Sequence, residues 1–328
     1  MPIASGSTPH YTREGRRPKE ERDIQAGEHD PTIEHLPRQG AGRWQRKASM
    51  NKLPRWNPPP ESLTLGRDEV HVWRAALDRS AADRQRLEQT LSLDERARAG
   101  KFYFSRDRER FIVARGLLRA ILGRYLGVEA DQLRFGYSAH GKPSLAGNRG
   151  QGSGAREQGS GVGGEFGPHP WPLLPGPCAS SLRFNLSHSH SLALYAITHQ
   201  RELGVDLEFI RPEVVEEPIA ERFFAAAEVA VLRGLPASLQ PEAFFNCWTR
   251  KEAYIKARGE GLTLPLDAFE VSLAPEEPAA LLSVDSDPAE ASRWSLRELA
   301  PGPGYVAAIA VEGRDWQLRC WEWPLEKE

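Results

Sequence analysis

Apolar and polar residues alternate through Glu69-Val70-His71-Val72-Trp73, and helical spacing takes over through 83–99 and 107–126. The chain thus predicts a strand followed by two helical stretches. In the second stretch Phe111, Leu118 and Leu122 form a stripe, and Gly127 stands where a C-cap is expected. A short strand over 133–137 and a turn at Gly141-Lys142-Pro143 follow. Alternation returns at 182–186, 192–198 and 204–209. Helical spacing covers 219–233 and 241–257, with Gly259 and Gly261 as stops, and strands are predicted over 264–272, 294–299, 305–311 and 316–323. Strands, helices and strands again occur on each side of residue 200. This is an α+β pattern of two subdomains with similar plan, 61–199 and 200–328.

Two segments stand outside the pattern. Residues 1–60 are polar, rich in Arg, Glu, Pro and Gly, and end in Asn57-Pro58-Pro59-Pro60. They cannot bury enough apolar surface to offset their ordering entropy, so a disordered extension is expected. Met50, the one methionine besides Met1, lies just before the first strand. A translation start there and a genuine disordered tail both fit. Residues 146–180 are rich in Gly and Pro without periodicity and read as a long surface loop inserted in the first subdomain. Gly159, Gly161 and Gly164 have dinucleotide-binding spacing, but no strand precedes them and no helix follows, so that reading is rejected.

At 328 residues with formal net charge −2, the chain has length for a sizeable core and no global basic excess for nucleic acid. Cys178, Cys247 and Cys320 make no C-x-x-C pair, which fits a reducing cytoplasm. No apolar run approaches the roughly 20 residues of a membrane span, so a cytoplasmic protein without membrane contact is expected.

The informative chemistry lies in Gly204-Val205-Asp206-Leu207-Glu208 and in Trp248-Thr249-Arg250-Lys251-Glu252-Ala253-Tyr254-Ile255-Lys256. Strand alternation puts Asp206 and Glu208 on one face and Val205, Leu207 and Phe209 toward the core. Steps of four put Trp248, Glu252 and Lys256 on nearly one side of a helix. If strand and helix pack together, three carboxylates and an ammonium converge on a site for a hard divalent cation holding a phosphate or pyrophosphate. Gly204, on the same face as Asp206, would let a ligand approach the backbone. Lys251 reads as one more charge on a charge-rich helix. Asn185-Leu186-Ser187-His188-Ser189-His190 follows a strand; adjacent Ser187 and His188 cannot form a hydrolase dyad, no G-x-S-x-G elbow exists, and His188 suits a phosphate hydrogen-bond donor. His190 and His199 read as surface residues. Lys142, Arg98 and Arg115 would pass as ordinary surface cations on physics alone.

In their order, Gly141-Lys142-Pro143, Phe184-Asn185-Leu186-Ser187-His188-Ser189, Gly204-Val205-Asp206-Leu207-Glu208 and Trp248-x-x-Lys251-Glu252-Ala253-x-x-Lys256 resemble the surfactin-type (Sfp-type) 4′-phosphopantetheinyl transferases. Arg222-Phe223-Phe224 with Glu228, and 259–266, fit the same family, and the similarity covers about 61–311 without the 146–180 insertion, a departure from the pattern. The resemblance implies a 4′-phosphopantetheinyl transferase-like pseudo-two-fold α+β fold with coenzyme A between two similar halves. It also implies Mg²⁺-dependent (or Mn²⁺-dependent) transfer of phosphopantetheine from coenzyme A to a serine of an apo acyl or peptidyl carrier domain, releasing adenosine 3′,5′-bisphosphate. By the same resemblance Asp206, Glu208 and Glu252 are metal ligands, Glu252 is the general base, and Lys256, His188 and Ser187 contact the pyrophosphate. Tyr137, Lys142, Arg98 and Arg115 hold adenine and the 3′-phosphate. Glu208 favours the three-carboxylate subtype, the usual state is a monomer, and Phe223, Phe224 and Arg222 are candidates for the carrier dock. Two other readings use the same residues: a pyrophosphatase or nucleotidyl transferase, and a non-catalytic binder of coenzyme A or carrier domains.

Overall fold

The computed structural model describes residues 54–138, 141–146, 181–213, 218–275, 277–285 and 287–325. Met50, most of the expected extension, the glycines of 159–164 and nearly all of the 146–180 insertion lie outside them.

The first half opens with β1 (Glu69–Ala76), α1 (Ala81–Thr90), α2 (Leu93–Ala99) and α3 (Ser105–Leu126), then a hairpin of β2 (Phe135–Tyr137) and β3 (Pro143–Leu145), and closes with β4 (Leu182–Ser189) and β5 (Leu192–His199). The stretch expected as one helix over 83–99 is two. Ser92 and Glu95 form a capping box: the Glu95 carboxylate takes the Ser92 N–H at 3.1 Å and restarts the helix. Gly127 caps α3 at φ 64°, as expected.

The second half runs β6 (Leu203–Phe209), α4 (Ile219–Phe223), α5 (Ala226–Gly234), α6 (Gln240–Arg258), β7 (Phe269–Val271), β8 (Leu281–Val284), α7 (Glu290–Arg293), β9 (Trp294–Leu299), β10 (Tyr305–Glu312) and β11 (Gln317–Glu322). The expected helix over 219–233 also breaks, at Phe224-Ala225, where Glu228 accepts the Ala225 N–H at 2.8 Å. The expected strand over 264–272 shrinks to β7. Pro265 supplies no N–H, and short helical turns occupy Gly261–Thr263 and Leu266–Ala268.

Two sheets carry the architecture. One has the order β11-β1-β5-β4, with β11 parallel to β1; the other has the order β6-β10-β9. The last strand thus crosses back to the first sheet. Asn57, inside the segment expected to be disordered, extends that edge: its N–H donates to Cys320 and its carbonyl accepts from Glu322.

Alternation sorts each strand into two faces. From the first sheet Val70, Val72, Leu194 and Ala196 join Leu203, Val205, Leu207, Ile309 and Val311 of the second in one core. Trp73, Ala75, Tyr195 and Ile197 point the other way, onto Val113, Leu117 and Ile121 of α3. On the far side of the second sheet, Ala308 and Ala310 pack against Ala253, Tyr254 and Ala257 of α6. Each sheet therefore has its own long helix, and the sheets share the layer between.

Candidate active site

Asp206 and Glu208 point from β6 toward α6, because Val205 and Leu207 are committed to the shared core. Helix α6 lies close enough that Lys256 Nζ stands 2.5 Å from Asp206 Oδ1. The other border of β6 is unusual. It meets β4 through side chains: Asn185 Oδ1 accepts the Val205 N–H at 2.9 Å, and Ser189 Oγ accepts the Phe209 N–H at 3.1 Å. The Ser187 hydroxyl donates to Asp206 Oδ1 and the Ser189 hydroxyl to Glu208 Oε2, each at 2.9 Å. Lys256 also reaches Ser187 Oγ at 3.2 Å. Asn185, Ser187 and Ser189, every second residue of β4, stitch the sheets together and grip both carboxylates.

The electrostatics are those of a crowded acidic site. Burial, then Asp206, pushes the Glu208 carboxyl up to about 8. Burial likewise raises Glu252, opposed by Lys256 and reinforced by Asp206, which shows that Glu252 shares this field. Burial alone would lower Lys256, but Asp206, Glu252 and Glu208 outweigh it and the ammonium stays charged. His188 lies on the α3 side of β4; burial, then Lys256 and Arg110, pushes it down to about 4, so the imidazole is neutral at pH 7.

One atom tests whether a cation fits. Asp206 Oδ2 is buried and has no hydrogen-bond partner, a costly state for an ionised oxygen unless a ligand completes it. Among the described residues no three His, Cys, Asp or Glu side chains form a ready-made cage. Carboxylate oxygens such as Asp206 Oδ2 are of the type that Mg²⁺ takes, and the rest of its shell would come from waters and substrate phosphates.

A second cluster occupies the first half. Arg115, 6% exposed, donates to the Tyr137 hydroxyl at 2.7 Å and lies over the rings of Phe111, Phe135 and Tyr137. Its Nη1 is buried without an acceptor. Arg98 sits over Phe111 from the opposite helix. Lys142 is committed to the protein: Nζ donates to Ala257 O at 3.2 Å, Glu202 Oε2 at 3.3 Å and Leu203 O at 3.4 Å, pinning the 141–143 turn to α6 and β6.

Several sequence readings change. Gly204 gives room to a helix and not to a ligand: a Cβ there would lie 2.1 Å from Ala253 O. Lys251 is a core residue, fully buried, 2.8 Å from Glu228 Oε2 and donating to the carbonyls of Leu266 and Phe269. Phe224 is core, its ring tilted against that of Phe244, whereas Phe223 is half-buried against Trp248 beneath Arg222. Sequence reasoning missed Glu95, which accepts from Arg119 Nε at 2.7 Å and lies 3.8 Å from Arg115. It also missed the carboxylate-gripping role of Ser189, although the period-two series Asn185, Ser187, Ser189 was visible as a polar strand face.

The chain is similar in sequence to known proteins along most of its length. The profile of the 4′-phosphopantetheinyl transferase superfamily matches residues 202–310, and that of the 4′-phosphopantetheinyl transferase N-terminal region matches residues 78–157. The 4′-phosphopantetheinyl transferase HetI of Nostoc sp. is 44% identical over 268 residues, covering 82% of this chain and 98% of that protein. The 4′-phosphopantetheinyl transferase Sfp of Bacillus subtilis is 27% identical over 249 residues, 75% of this chain and 94% of that one. The mouse L-aminoadipate-semialdehyde dehydrogenase-phosphopantetheinyl transferase is 24% identical, over 69% of this chain and 68% of its own. The chain belongs to the 4′-phosphopantetheinyl transferase superfamily and is an enzyme of that family.

Proposed function

We propose that this enzyme transfers the 4′-phosphopantetheine group of coenzyme A to a serine hydroxyl of an apo acyl or peptidyl carrier domain, with Mg²⁺ or Mn²⁺, and releases adenosine 3′,5′-bisphosphate. The observation that carries the reading is Asp206: one oxygen is clamped by Lys256 and Ser187, the other is buried and unpartnered, and its charge acts on Glu208 and Glu252. Asp206, Glu208 and Glu252 would hold the divalent ion, which would withdraw charge from the pyrophosphate oxygens.

The protein's own groups do the rest. Glu252, whose carboxyl binds protons more tightly than usual, takes the proton from the carrier serine. The serine oxygen bonds to the phosphorus on the pantetheine side. The bond from that phosphorus to the bridging oxygen breaks, and the electron pair leaves on the adenosine bisphosphate. Lys256 places a fixed positive charge beside that leaving group, and the neutral imidazole of His188 donates one N–H to a phosphate oxygen. Arg115, with its spare buried N–H groups, Arg98 and Tyr137 take the 3′-phosphate and adenine, while Lys142 holds the adjoining turn in place. The two long helices, α3 and α6, each on its own sheet, support a pseudo-two-fold relation between halves with the coenzyme between them. Both halves lie in one chain, so a monomer is the expected working form. Among the described residues no helix is long and apolar enough to cross a membrane.

The test mixes the protein, coenzyme A, Mg²⁺ and apo-carrier and weighs the carrier by mass spectrometry. A gain of one phosphopantetheine group is expected. Hydrolysis of the pyrophosphate without carrier modification would favour the pyrophosphatase reading instead. Glu252→Gln should lower transfer by a factor on the order of 10² to 10⁴, the usual worth of a general base, while coenzyme A binding remains. Unchanged transfer removes Glu252 from the mechanism.

A further inference from the structure

We infer that Ser189 is a positioning residue of the reaction, setting Glu208 as a one-oxygen ligand for the divalent ion; the inference rests on the metal-dependent transfer proposed above. Ser189 is buried at the end of β4, 8% exposed, and belongs to the sheet opposite Glu208. A serine hydroxyl has one proton and two lone pairs. Here the proton goes to Glu208 Oε2 at 2.9 Å, and a lone pair takes the Phe209 N–H at 3.1 Å. The proton and one lone pair are engaged, so the side chain cannot rotate away without leaving the Phe209 N–H unpaired. It is the sole hydrogen-bond donor to Glu208 among the described residues.

The pattern repeats one step along both strands. Ser187 donates to Asp206 Oδ1, and Asp206 Oδ2 keeps no protein partner. Each serine takes one oxygen of its carboxylate and leaves the other for a ligand. A freely turning carboxylate would spread its charge over several geometries. Mg²⁺ demands near-ideal octahedral directions and punishes that freedom. Residues that orient metal ligands from outside the coordination shell typically contribute 10- to 100-fold in metal affinity or activity. Ser189 differs from Ser187 in one respect: Lys256 also donates to Ser187, whereas among the described residues Ser189 is the one hydrogen-bond donor that fixes an oxygen of Glu208.

The experiment measures Mn²⁺ binding by electron paramagnetic resonance of the free ion, with coenzyme A present, on wild type, Ser189→Ala and Ser189→Thr. Ser189→Ala should bind Mn²⁺ roughly tenfold more weakly, and Ser189→Thr, which keeps the hydroxyl, should stay within about twofold of wild type. Coenzyme A affinity without metal should be the same in all three. If Ser189→Ala lowers the thermal midpoint, Ser189→Cys fills the same space with only a weak donor and should show the same loss. Mn²⁺ affinity unchanged in Ser189→Ala overturns the inference. Absence of Mn²⁺ binding by the wild type, with carrier transfer intact in chelator, overturns the metal reading itself and this inference with it.

Discussion

Replacing Gly204 with alanine measures how closely the strand and helix that carry the site are keyed together. The new Cβ would stand 2.1 Å from Ala253 O, 2.4 Å from Ala257 N and 2.9 Å from the carbonyl carbon of Lys256. All three are backbone atoms of α6, so no side chain can swing aside. Bringing the nearest contact out to 3.0 Å requires β6 and α6 to part by about 0.9 Å. Overpacking a filled interior costs about 1–3 kcal/mol, and a backbone-on-backbone conflict belongs at the upper end. About 3 kcal/mol corresponds to roughly 5 °C of thermal midpoint for a unit of this size. The same separation stretches the Lys256–Asp206 contact, 2.5 Å in the native enzyme. A misplacement of about 1 Å costs on the order of 10²-fold in rate. Calorimetry gives the midpoint, and carrier modification at 20 °C below it gives turnover. A midpoint within about 1 °C of wild type would refute the steric argument. A lowered midpoint with native turnover would refute the link from spacing to chemistry.

Lys251→Met should cost about 3–5 kcal/mol in urea unfolding, because it leaves Glu228 buried beside the Leu266 and Phe269 carbonyls without its cation; a loss below about 1 kcal/mol would show that the carboxyl is neutralised some other way. His188→Gln should flatten the acid side of the stability profile. With His188 near 4 when folded and about 6.5 when unfolded, the unfolded chain binds more protons between those values, so its contribution is complete above pH 6.5 and falls by about 1 kcal/mol by pH 5.5. Parallel profiles for wild type and variant would disprove the burial of that ring. Glu208→Gln has the opposite sign in metal-free protein. A carboxyl raised to about 8 makes the folded state the tighter proton binder, so wild-type stability falls as pH rises from about 4.5 to 8. The variant should therefore gain midpoint over wild type across that range while losing transfer; a constant difference would contradict the crowding at Asp206.

The strands and long helices were legible because each buries one face. Alternation in β6 separates Val205 and Leu207 from Asp206 and Glu208, and the glycine stops placed the ends of α3 and α6 where their left-handed caps lie. The breaks were less legible, since apolar periodicity runs across them. What breaks them is polar and local: Glu95 returning to Ser92 N, and Glu228 returning to Ala225 N. Both glutamates then serve distant partners, Arg119 and Lys251, and no pattern within a single helix encodes such a double duty. The β4–β6 seam was hidden for a related reason. Asn185 and Ser189 there take over backbone pairing, and side-chain stitching leaves no register to read.

Lys251 and Lys256 show what separates a site from a structural ion pair. They stand five residues apart on α6, which turns them to different sides of the helix. Lys251 spends its three N–H groups on Glu228, Leu266 O and Phe269 O. Lys142 is filled in the same way by Ala257 O, Glu202 and Leu203 O. Among the described residues Lys256 meets two acceptors, Asp206 and Ser187, so one N–H is left for another partner. It faces Asp206 with an oxygen left over, and Arg115 across the first half has a buried Nη1 left over. Buried unspent groups, here Asp206 Oδ2 and Arg115 Nη1, are costly to a folded protein on its own account. Their gathering on Lys256, Asp206 and Arg115, while Lys251 and Lys142 have spent every N–H, is what a polyanionic ligand with its cation would complete.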